Sequence, residues 1–431
     1  MILIFYILAA MLIYLSYKSF RGGIDYFEYF RAEIAKPASE YLPFATVIAP
    51  CKGLDEGLEE NLRALLEQEY PQYEIIFVVD DRSDLAAGVI KDVTSKDAQN
   101  AKLIEERSTE TSESNGLFFS ASPRLGGDMT QNIQLVLAPK AIDSSQKVEN
   151  LREAILHASP DSKVFAFVDS DARPSKDWLR HLVTPLADES VGVTTGYRWF
   201  ISSRPSFASE MRSAWNASIA SALGRAPKNE FCWGGSMAIR RDVFERLNIR
   251  EKWRGTVSDD FVLARVVKDA GLLIYFVPMA LTASIENCTV RDLFEFTTRQ
   301  MKLTRVYAPK LWKLSLFGSG LFTSVILASM SIIIFSARNG TNVAAAAAVL
   351  ILVSIFSAGK AWYRLKAVEL VLKDRNPQLA GQWFSQLTLW ALAPPLYLFN
   401  CIAALLSREM TWRGVTYVLV SRTETKVVSK P

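Results

Sequence analysis

Long uncharged apolar segments at the two ends of the chain constrain its fold more than any other feature. Near the C-terminal end, 315–337 and 342–359 carry no charge and are about as long as a membrane-spanning helix. A third apolar run, 383–406, is interrupted by Pro394 and Pro395. A buried helix of a soluble protein can be equally apolar, but three such runs in succession favour a C-terminal group of membrane helices.

The N-terminal apolar run covers 2–17, and Lys18 and Arg21 follow it directly. A cleaved signal peptide would carry its positive charge before the apolar run and a small-residue cleavage site after it. The order of charge is reversed here, which predicts an uncleaved anchor whose C-terminal side faces the cytosol. The run is slightly short for a span, so the long side chain of Lys18 is expected to reach the membrane interface.

The stretch between these ends has the composition of a soluble domain. The 431 residues carry a formal net charge of +4, which is too small to indicate a nucleic-acid partner. The four cysteines are far apart and lack CxxC spacing, which argues against structural zinc and against a disulfide framework. Since the chain has only two histidines, His157 and His181, carboxylates are the expected catalytic groups.

Strand-like and helix-like patterns alternate along this middle stretch. Residues 58–68 have apolar positions at helical spacing between two short apolar runs. Strands are predicted at 45–50, 74–79, 164–168, 191–195 and 273–277. The alternation predicts an α/β domain with a mostly parallel sheet. Residues 105–131, rich in Ser, Thr, Glu and Gly, interrupt the pattern and are predicted to be a mobile insertion.

Acidic residues follow two predicted strands and begin a predicted helix. The clusters are Asp80-Asp81, Asp169-Ser170-Asp171 and Asp259-Asp260. Because ligands of open α/β sheets bind beyond the carboxyl ends of the strands, the first two clusters are expected to converge. Asp169 and Asp171 can share a divalent cation, and their oxygen ligands suit Mg²⁺ or Mn²⁺. Capping of the following turn is the simple alternative, but the buried strand before them favours the metal.

Gly234, Gly235 and Ser236 lie between aromatic residues and a predicted helix. Glycines there allow the backbone to approach a ligand closely. A carboxylate beside such a pocket can accept the proton of an attacking hydroxyl if partial burial and a second aspartate raise its pKa. Asp259 and Asp260 are the candidates, although simple helix N-capping would use the same residue type.

Taken together, these segments resemble the family 2 inverting glycosyltransferases of the GT-A fold, and among them most closely the ceramide glucosyltransferases. The matching pieces, in order, are APCKGLDEGLEENL, QEYPQYEIIFVVDDRSDLA, SQKVENL, VDSDARP, WGGSMAIRRDVF, SDDFVLARVVKDAG and WRGVTY. The resemblance implies a Rossmann-like, nucleotide-sugar-binding domain. It also implies transfer of a sugar, with UDP-glucose as the expected donor, onto a lipid hydroxyl such as that of ceramide.

The resemblance assigns roles to individual residues. Asp81 is expected at the base and ribose, and Lys147 near the nucleotide or its phosphates. Asp169 and Asp171 match the DxD motif that holds metal and diphosphate, with Asp171 as the closer metal ligand. Asp260 matches the catalytic base. The expected nucleotide-sugar contacts are Pro50, Lys52, Asp81, Lys147, Asp169, Gly235, Ser236, Asp259, Arg299 and Lys302.

A basic motif near 299–303 departs from the family pattern. Arg299 and Lys302 keep the two positive charges and are expected to hold the diphosphate. Leu303 replaces the tryptophan of the family, which removes a flat apolar face near the acceptor. The loss also weakens a processive polysaccharide synthase as an interpretation. The alternative is that Arg299, Lys302 and Arg305 form a basic stripe that faces the membrane.

Trp412, Arg413, Gly414 and Tyr417 match a C-terminal family signature that lies on the cytosolic side. An anchor followed by three full spans would put this signature outside, whereas its basic neighbours favour the inside. We therefore predict that 383–406 is re-entrant or interfacial, or that one other run does not cross.

The predicted domains, in chain order, are an anchor at 1–20, a cytosolic catalytic domain at 40–312, membrane segments at 313–406 with an amphipathic helix at 360–375, and a cytosolic tail at 407–431. The membrane is expected to be a bacterial inner membrane, or the ER or Golgi in a eukaryote. A processive polysaccharide synthase remains an alternative and would need more spans. An inactive membrane protein that binds lipid or nucleotide is the other, and it would not need three carboxylate clusters.

Overall fold

A computed structural model gives the fold and describes residues 2–37, 39–100, 132–224, 230–335 and 340–429. The chain divides into two compact units. The helical unit consists of Met1–Ala35, Phe200–Arg225 and Asn287–Arg408. The sheet unit consists of Lys36–Trp199, Ala226–Glu286 and Glu409–Pro431. The insertion predicted at 105–131 lies outside the described residues.

Strands and helices are numbered in chain order over the described residues. The strands β1–β12 are Ala45–Pro50, Tyr73–Val79, Asn132–Leu137, Val164–Val168, Val191–Thr195, Arg198–Ile201, Ser236–Arg240, Leu273–Phe276, Thr282–Ile285, Glu409–Trp412, Val415–Leu419 and Thr425–Ser429. The α-helices α1–α14 are Ile2–Ile34, Leu58–Leu66, Leu85–Asn100, Gln146–Ala154, Trp178–Val183, Phe207–Ala220, Arg241–Arg246, Ile249–Lys252, Asp259–Asp269, Val290–Tyr307, Pro309–Phe335, Gly340–Val371, Asn376–Thr388 and Ala393–Leu406.

The main sheet of the sheet unit has the strand order β3-β2-β1-β4-β7-β5-β8. β7 runs antiparallel to β4 and β5, and the other neighbouring pairs are parallel. β1, β2, β4 and β5 are buried along their whole length, which is why their sequences are continuous apolar runs. The prediction of a mostly parallel α/β sheet is confirmed. β10, β11 and β12 form a smaller antiparallel sheet, and β6 and β9 a two-stranded one.

Two strands of the main sheet were not predicted. β3 is an edge strand with alternating burial and follows the low-complexity stretch directly, so it lacks a continuous apolar run. β7 begins at Ser236, immediately after Gly234 and Gly235, whereas the sequence analysis placed these three residues directly before a helix. Helix α2 was predicted correctly, since its buried face carries Leu58 and Leu62 at helical spacing.

Within the described residues, α1, α11 and α12 are long and apolar enough to cross a membrane. They share a hydrophobic core in the helical unit that includes Phe5, Phe322 and Val353. α1 continues to Ile34, beyond the predicted anchor, and α12 continues to Val371 as one helix through most of the predicted amphipathic segment.

The last apolar run is broken where the sequence predicted an interruption. Lys373–Ala391 and Ala393–Leu406 meet at an angle of 60°. Prolines occupy the first turn of the second helix, where a missing amide hydrogen costs little. If this bent pair counts as one span, the described residues contain up to four spans.

Candidate functional site

The carboxyl end of β4 leads into a tight turn that carries the DxD motif. The Ala172 amide donates to the Asp169 carbonyl at 3.1 Å. Asn61 donates from Nδ2 to the Ser170 carbonyl at 3.0 Å, and the Ser170 hydroxyl donates to Asp55 Oδ2 at 2.6 Å. The turn that separates Asp169 from Asp171 is therefore fixed by side chains from the segment that follows β1.

Lys147, the second residue of α4, lies between two of the acidic clusters. Its Nζ is 2.7 Å from Asp169 Oδ1 and 3.3 Å from Asp259 Oδ1. Burial alone would lower the pKa of Lys147, but the carboxylates of Asp169, Asp259 and Asp260 together raise it above its ordinary value. Lys147 is thus charged, and it joins the DxD turn to the start of α9.

Two glycines approach these carboxylates so closely that no side chain fits. A Cβ on Gly234 would lie 2.2 Å from Asp259 Oδ2 and 2.8 Å from Lys147 Nζ. A Cβ on Gly235 would lie 2.7 Å from Asp169 Oδ2 and 2.2 Å from the ring of Trp233. The backbone before β7 therefore forms a wall against these side chains; its predicted close approach to a ligand stays a prediction.

Helix α9 begins with the third acidic cluster. The Ser258 hydroxyl caps the helix by accepting from the Phe261 amide, and Asp259 and Asp260 follow. Asp260 Oδ1 accepts from the Phe261 amide at 2.7 Å and from the Ser258 hydroxyl, and Oδ2 accepts from the Gly234 amide at 3.4 Å. The predicted base is thus held against the glycine wall.

Asp259 has a different environment. It is 3% exposed, and burial raises its pKa to about 6. Lys147 lowers this pKa, whereas the neighbouring charges of Asp260 and Asp169 raise it. Among the described residues, Asp259 Oδ2 has no hydrogen-bond partner. The Asp259 carboxyl therefore has a pKa suited to a general base, although the family resemblance assigned that role to Asp260.

Asp171 has the properties expected of a ligand for a divalent cation. Burial and the negative charges of Glu286 and Asp169 raise its pKa to about 7. Its Oδ2 lies 3.6 Å from Arg198 Nη1, and its buried Oδ1 has no hydrogen-bond partner in the described part of the chain. The described residues contain no group of three or more His, Cys, Asp or Glu arranged to hold a metal. Two carboxylates with an unpartnered oxygen nevertheless fit Mg²⁺ or Mn²⁺, which usually keep water or phosphate oxygens as their other ligands.

The acidic cluster after β2 lies at the same edge of the sheet, two strands from β4. Buried Asp80 pairs through Oδ2 with Lys52 at 2.7 Å and with Lys140 at 3.2 Å. Asp81 Oδ2 is 3.1 Å from the same Lys140. Hydrogen bonds from the hydroxyl and the amide of Ser83, followed by Lys140, hold the pKa of Asp81 well below its usual range. Asp81 is therefore an exposed, ionised acceptor.

The remaining predicted site residues have varied surroundings. Pro50 is the buried last residue of β1. The buried Ser236 hydroxyl accepts from Trp178 Nε1 at 2.8 Å and donates to the Ala280 carbonyl at 2.9 Å, so it is used within the fold. Arg299 and Lys302 lie on α10 of the helical unit, whereas the other candidates belong to the sheet unit.

Three charged residues of the sheet unit's site were not predicted from the sequence. Lys140 follows β3, and because that strand was not predicted, the position of Lys140 at a strand end was not recognised. Arg198 begins β6 and lies over the ring of Trp233 at 5.2 Å as well as near Asp171. Asp55 lies in the quoted family segment, but nothing in the sequence indicated that it would bind Ser170.

One family model and several solved structures are similar to this chain. The family model described as glycosyl transferase family 21 matches residues 3–112 and 129–425. The chain is similar to a structure of mannosyltransferase PcManGT from Pyrobaculum calidifontis in complex with GDP-Man and Mn²⁺. Identity is 18% and the TM-score is 0.50, over 86% of this chain and all of the other.

A second similar structure is glucosyl-3-phosphoglycerate synthase from Mycobacterium tuberculosis in complex with Mn²⁺ and UDP-glucose. It is 13% identical, with a TM-score of 0.34 over 65% of this chain and 82% of that one. At such identities a likeness concerns the fold alone. The family match, in contrast, extends over most of the sequence and includes every acidic cluster described above. The chain belongs to glycosyl transferase family 21, and it is a glycosyltransferase.

Proposed function

We propose that this protein is a membrane-bound, inverting glycosyltransferase of the GT-A type that moves glucose from UDP-glucose to the hydroxyl of a membrane lipid. Ceramide is the first acceptor to test. The proposal is carried by one observation, the pairing of Lys147 with both Asp169 and Asp259. This pairing joins the proposed diphosphate-binding turn to the start of α9, which carries Asp259 and the proposed base Asp260.

The donor would lie along the carboxyl edge of the sheet. Asp81 offers ionised oxygens to the base and ribose, and Lys52 and Lys140 add positive charge beside it. Asp169 and Asp171 would hold Mn²⁺ or Mg²⁺, which neutralises charge on the diphosphate when bound. The Mn²⁺ and nucleotide-sugar complex of PcManGT supports this proposal. Lys147 would add a second positive charge near the leaving group.

Asp260 is the proposed general base. It would accept the proton of the lipid hydroxyl while the hydroxyl oxygen bonds to the anomeric carbon from the face opposite the diphosphate. The bond from the anomeric carbon to the diphosphate oxygen breaks, and the nucleoside diphosphate leaves. A single displacement of this kind gives a β-glycoside from an α-linked donor. Asp259, with its raised pKa and unpartnered oxygen, is the second candidate for the base.

The helical unit supports a lipid acceptor rather than a soluble one. Its three long apolar helices would keep the enzyme in the bilayer, where the acceptor's tail resides. We propose that the sheet unit faces the cytosol, in a bacterial inner membrane or in the ER or Golgi. A processive synthase of the same chemistry remains the second candidate, but up to four spans are few for a polymer channel.

The full-length protein in membranes, incubated with labelled UDP-glucose and GDP-mannose, tests the function directly. We expect one labelled lipid whose sugar is released by a β-specific glycosidase. EDTA should abolish its formation, and Mn²⁺ or Mg²⁺ should restore it. A labelled polymer would favour the synthase. Nucleotide binding without any product would favour an inactive binding protein.

The base is tested with Asp260→Asn, which keeps the volume of the side chain. We expect kcat to fall by about 10²–10⁴-fold, the usual contribution of a general base. Asp269→Asn on the same helix is exposed and serves as the matched control. A normal rate in Asp260→Asn combined with a loss in Asp259→Asn would transfer the role to Asp259.

A further inference from the structure

The C-terminal hairpin of the sheet unit carries an arginine in an unusual backbone conformation. Trp412 of β10 pairs with Val415 of β11, which leaves Arg413 and Gly414 as a two-residue turn. Both have positive φ, 51° and 79°, as in a type I′ hairpin turn. Asn, Asp or Gly usually occupies the first position because a left-handed conformation costs other residues about 1–2 kcal/mol. Strain of this kind is concentrated at functional sites.

The side chain of Arg413 binds a residue that holds the DxD turn. Its Nη2 pairs with Asp55 Oδ1, and Asp55 Oδ2 accepts from the Ser170 hydroxyl at 2.6 Å. Burial alone would lower the pKa of Arg413, but the charges of Asp55, Asp171 and Glu286 raise it. The guanidinium therefore lies in the electrostatic field of the proposed metal ligands.

A second contact fixes the same hairpin to the site. Tyr417 on β11 is 2% exposed, and its hydroxyl accepts from the Gln146 amide at 3.2 Å. Gln146 begins α4 and precedes Lys147, which pairs with Asp169 and Asp259. One hairpin thus contacts both Asp55, which binds the DxD turn, and the helix that carries Lys147.

The chemistry of the side chain indicates its ligand. A guanidinium presents its donors in a planar fork that matches two oxygens of a carboxylate or a phosphate, which an ammonium does not. Asp55 supplies carboxylate oxygens to Arg413 in this structure. A diphosphate at the DxD turn would offer the same guanidinium stronger and more numerous acceptors.

We propose that Arg413 is a donor-binding residue that contacts the diphosphate of the bound nucleotide sugar, exchanging Asp55 for phosphate oxygens. This inference rests on the proposed function, since it assigns a residue to the same donor site. It makes the C-terminal hairpin part of that site. It also explains why an arginine occupies a position with positive φ, since the hairpin tip places the guanidinium beside a turn that is far away in sequence.

The test uses the full-length protein and a substitution that suits the turn. Arg413→Asn removes the charge but favours the type I′ conformation, so the hairpin should fold at least as well. Arg422→Ala, an exposed position on the same tail, is the control. Dissociation constants are measured for UDP and UMP, and for GDP and GMP, each with Mn²⁺.

We expect Arg413→Asn to weaken UDP binding by about 10- to 100-fold, as for loss of a charge-assisted hydrogen bond, and UMP binding by much less. The affinity of Arg413→Lys for UDP should lie between those of the wild type and Arg413→Asn, and the affinity of Arg422→Ala should equal that of the wild type. If Arg413 only positions Asp55, Asp55→Asn would have the same effect as Arg413→Asn, and both variants would bind UDP and UMP more weakly by the same factor. That result would overturn the inference. If the wild type transfers sugar and Arg413→Asn still prefers UDP to UMP as the wild type does, the inference about Arg413 is overturned but the proposed function is not. A wild-type protein that neither binds a nucleoside diphosphate nor transfers sugar overturns the proposed function as well.

Discussion

Lys147 Nζ lies 2.7 Å from Asp169 Oδ1, so an ammonium from α4 neutralises the first carboxylate after β4. The same ammonium also pairs with Asp259. A cation with two carboxylate partners in a mostly buried position is strongly held, because the low dielectric strengthens both attractions. It also keeps the acidic clusters from repelling one another.

Lys147→Met should therefore change the binding of cations and of anions in opposite directions. Two carboxylates without their ammonium attract a divalent cation more strongly, so the dissociation constant for Mn²⁺ alone should fall. The donor loses a positive charge near its diphosphate, so its KM should rise by about tenfold or more. Isothermal titration and steady-state kinetics measure the two effects. Lys252→Met, an exposed lysine of the sheet unit, should change neither. A parallel weakening of both ligands would show instead that Lys147 holds the site together.

Asp259 makes a specific prediction about stability and pH. Burial, with help from Asp260 and Asp169, raises its pKa from 3.8 to about 6. A carboxyl whose pKa is raised by folding favours the folded state most below its unfolded pKa, and this stability is lost as pH rises through the folded pKa. Asp259→Asn cannot ionise and should avoid the loss. Its stability relative to wild type should grow between about pH 4 and pH 7, by up to about 3 kcal/mol.

Thermal unfolding of the detergent-solubilised protein at several pH values measures this difference. Asp269→Asn, exposed at the end of the same helix, should give a difference that does not depend on pH. A flat profile for Asp259→Asn would mean that Lys147 fully compensates the buried charge.

Five strands of the main sheet were predictable from the sequence, whereas β3 at one edge and β7 between β4 and β5 were not. β1, β2 and β4 are buried on both faces, so burial alone selects continuous apolar residues there. β3 lies at the edge of the sheet, and its residues alternate between buried and more exposed positions. β7 is antiparallel to its neighbours and directly follows two glycines. Local pattern carries little information about such strands, because their position depends on neighbours far away in sequence.

The site divides in the same way. The carboxylates could be predicted because they directly follow apolar strands. The resemblance to family 2 enzymes indicated a glycosyltransferase, although the family model that matches is family 21. The ion pairs that arrange those carboxylates could not be read from the sequence. Arg413 and Asp55 lie 358 residues apart, and their pairing exists only once the C-terminal hairpin is folded. The raised pKa of Asp259 likewise depends on its burial in the folded chain.

A buried chain of hydrogen-bonded polar side chains in the helical unit predicts an effect on stability. Arg364 of α12 donates to Gln386 Oε1 at 2.9 Å, and Gln386 Nε2 donates to the Ser213 hydroxyl at 3.1 Å. All three side chains are buried. Gln386→Leu would leave the guanidinium without this acceptor, at a cost of about 2–4 kcal/mol. Gln378→Leu, an exposed position on the same helix, is the matched control. Equal unfolding temperatures for the two variants would mean that Arg364 finds another partner.

Gly234 lets the backbone lie directly against Asp259 and Lys147, and Gly234→Ala tests this close approach with one methyl group. The new Cβ would lie 2.2 Å from Asp259 Oδ2 and 2.8 Å from Lys147 Nζ, so at least one of the two must move. Gly234 is not among the residues with positive φ, so alanine itself fits the backbone. We expect kcat/KM to fall by about 100-fold through misplaced charges, with the fold retained. Gly88→Ala on α3 meets nothing within 4 Å and should keep full activity. Normal turnover in Gly234→Ala would place the reacting groups away from the pair formed by Lys147 and Asp259.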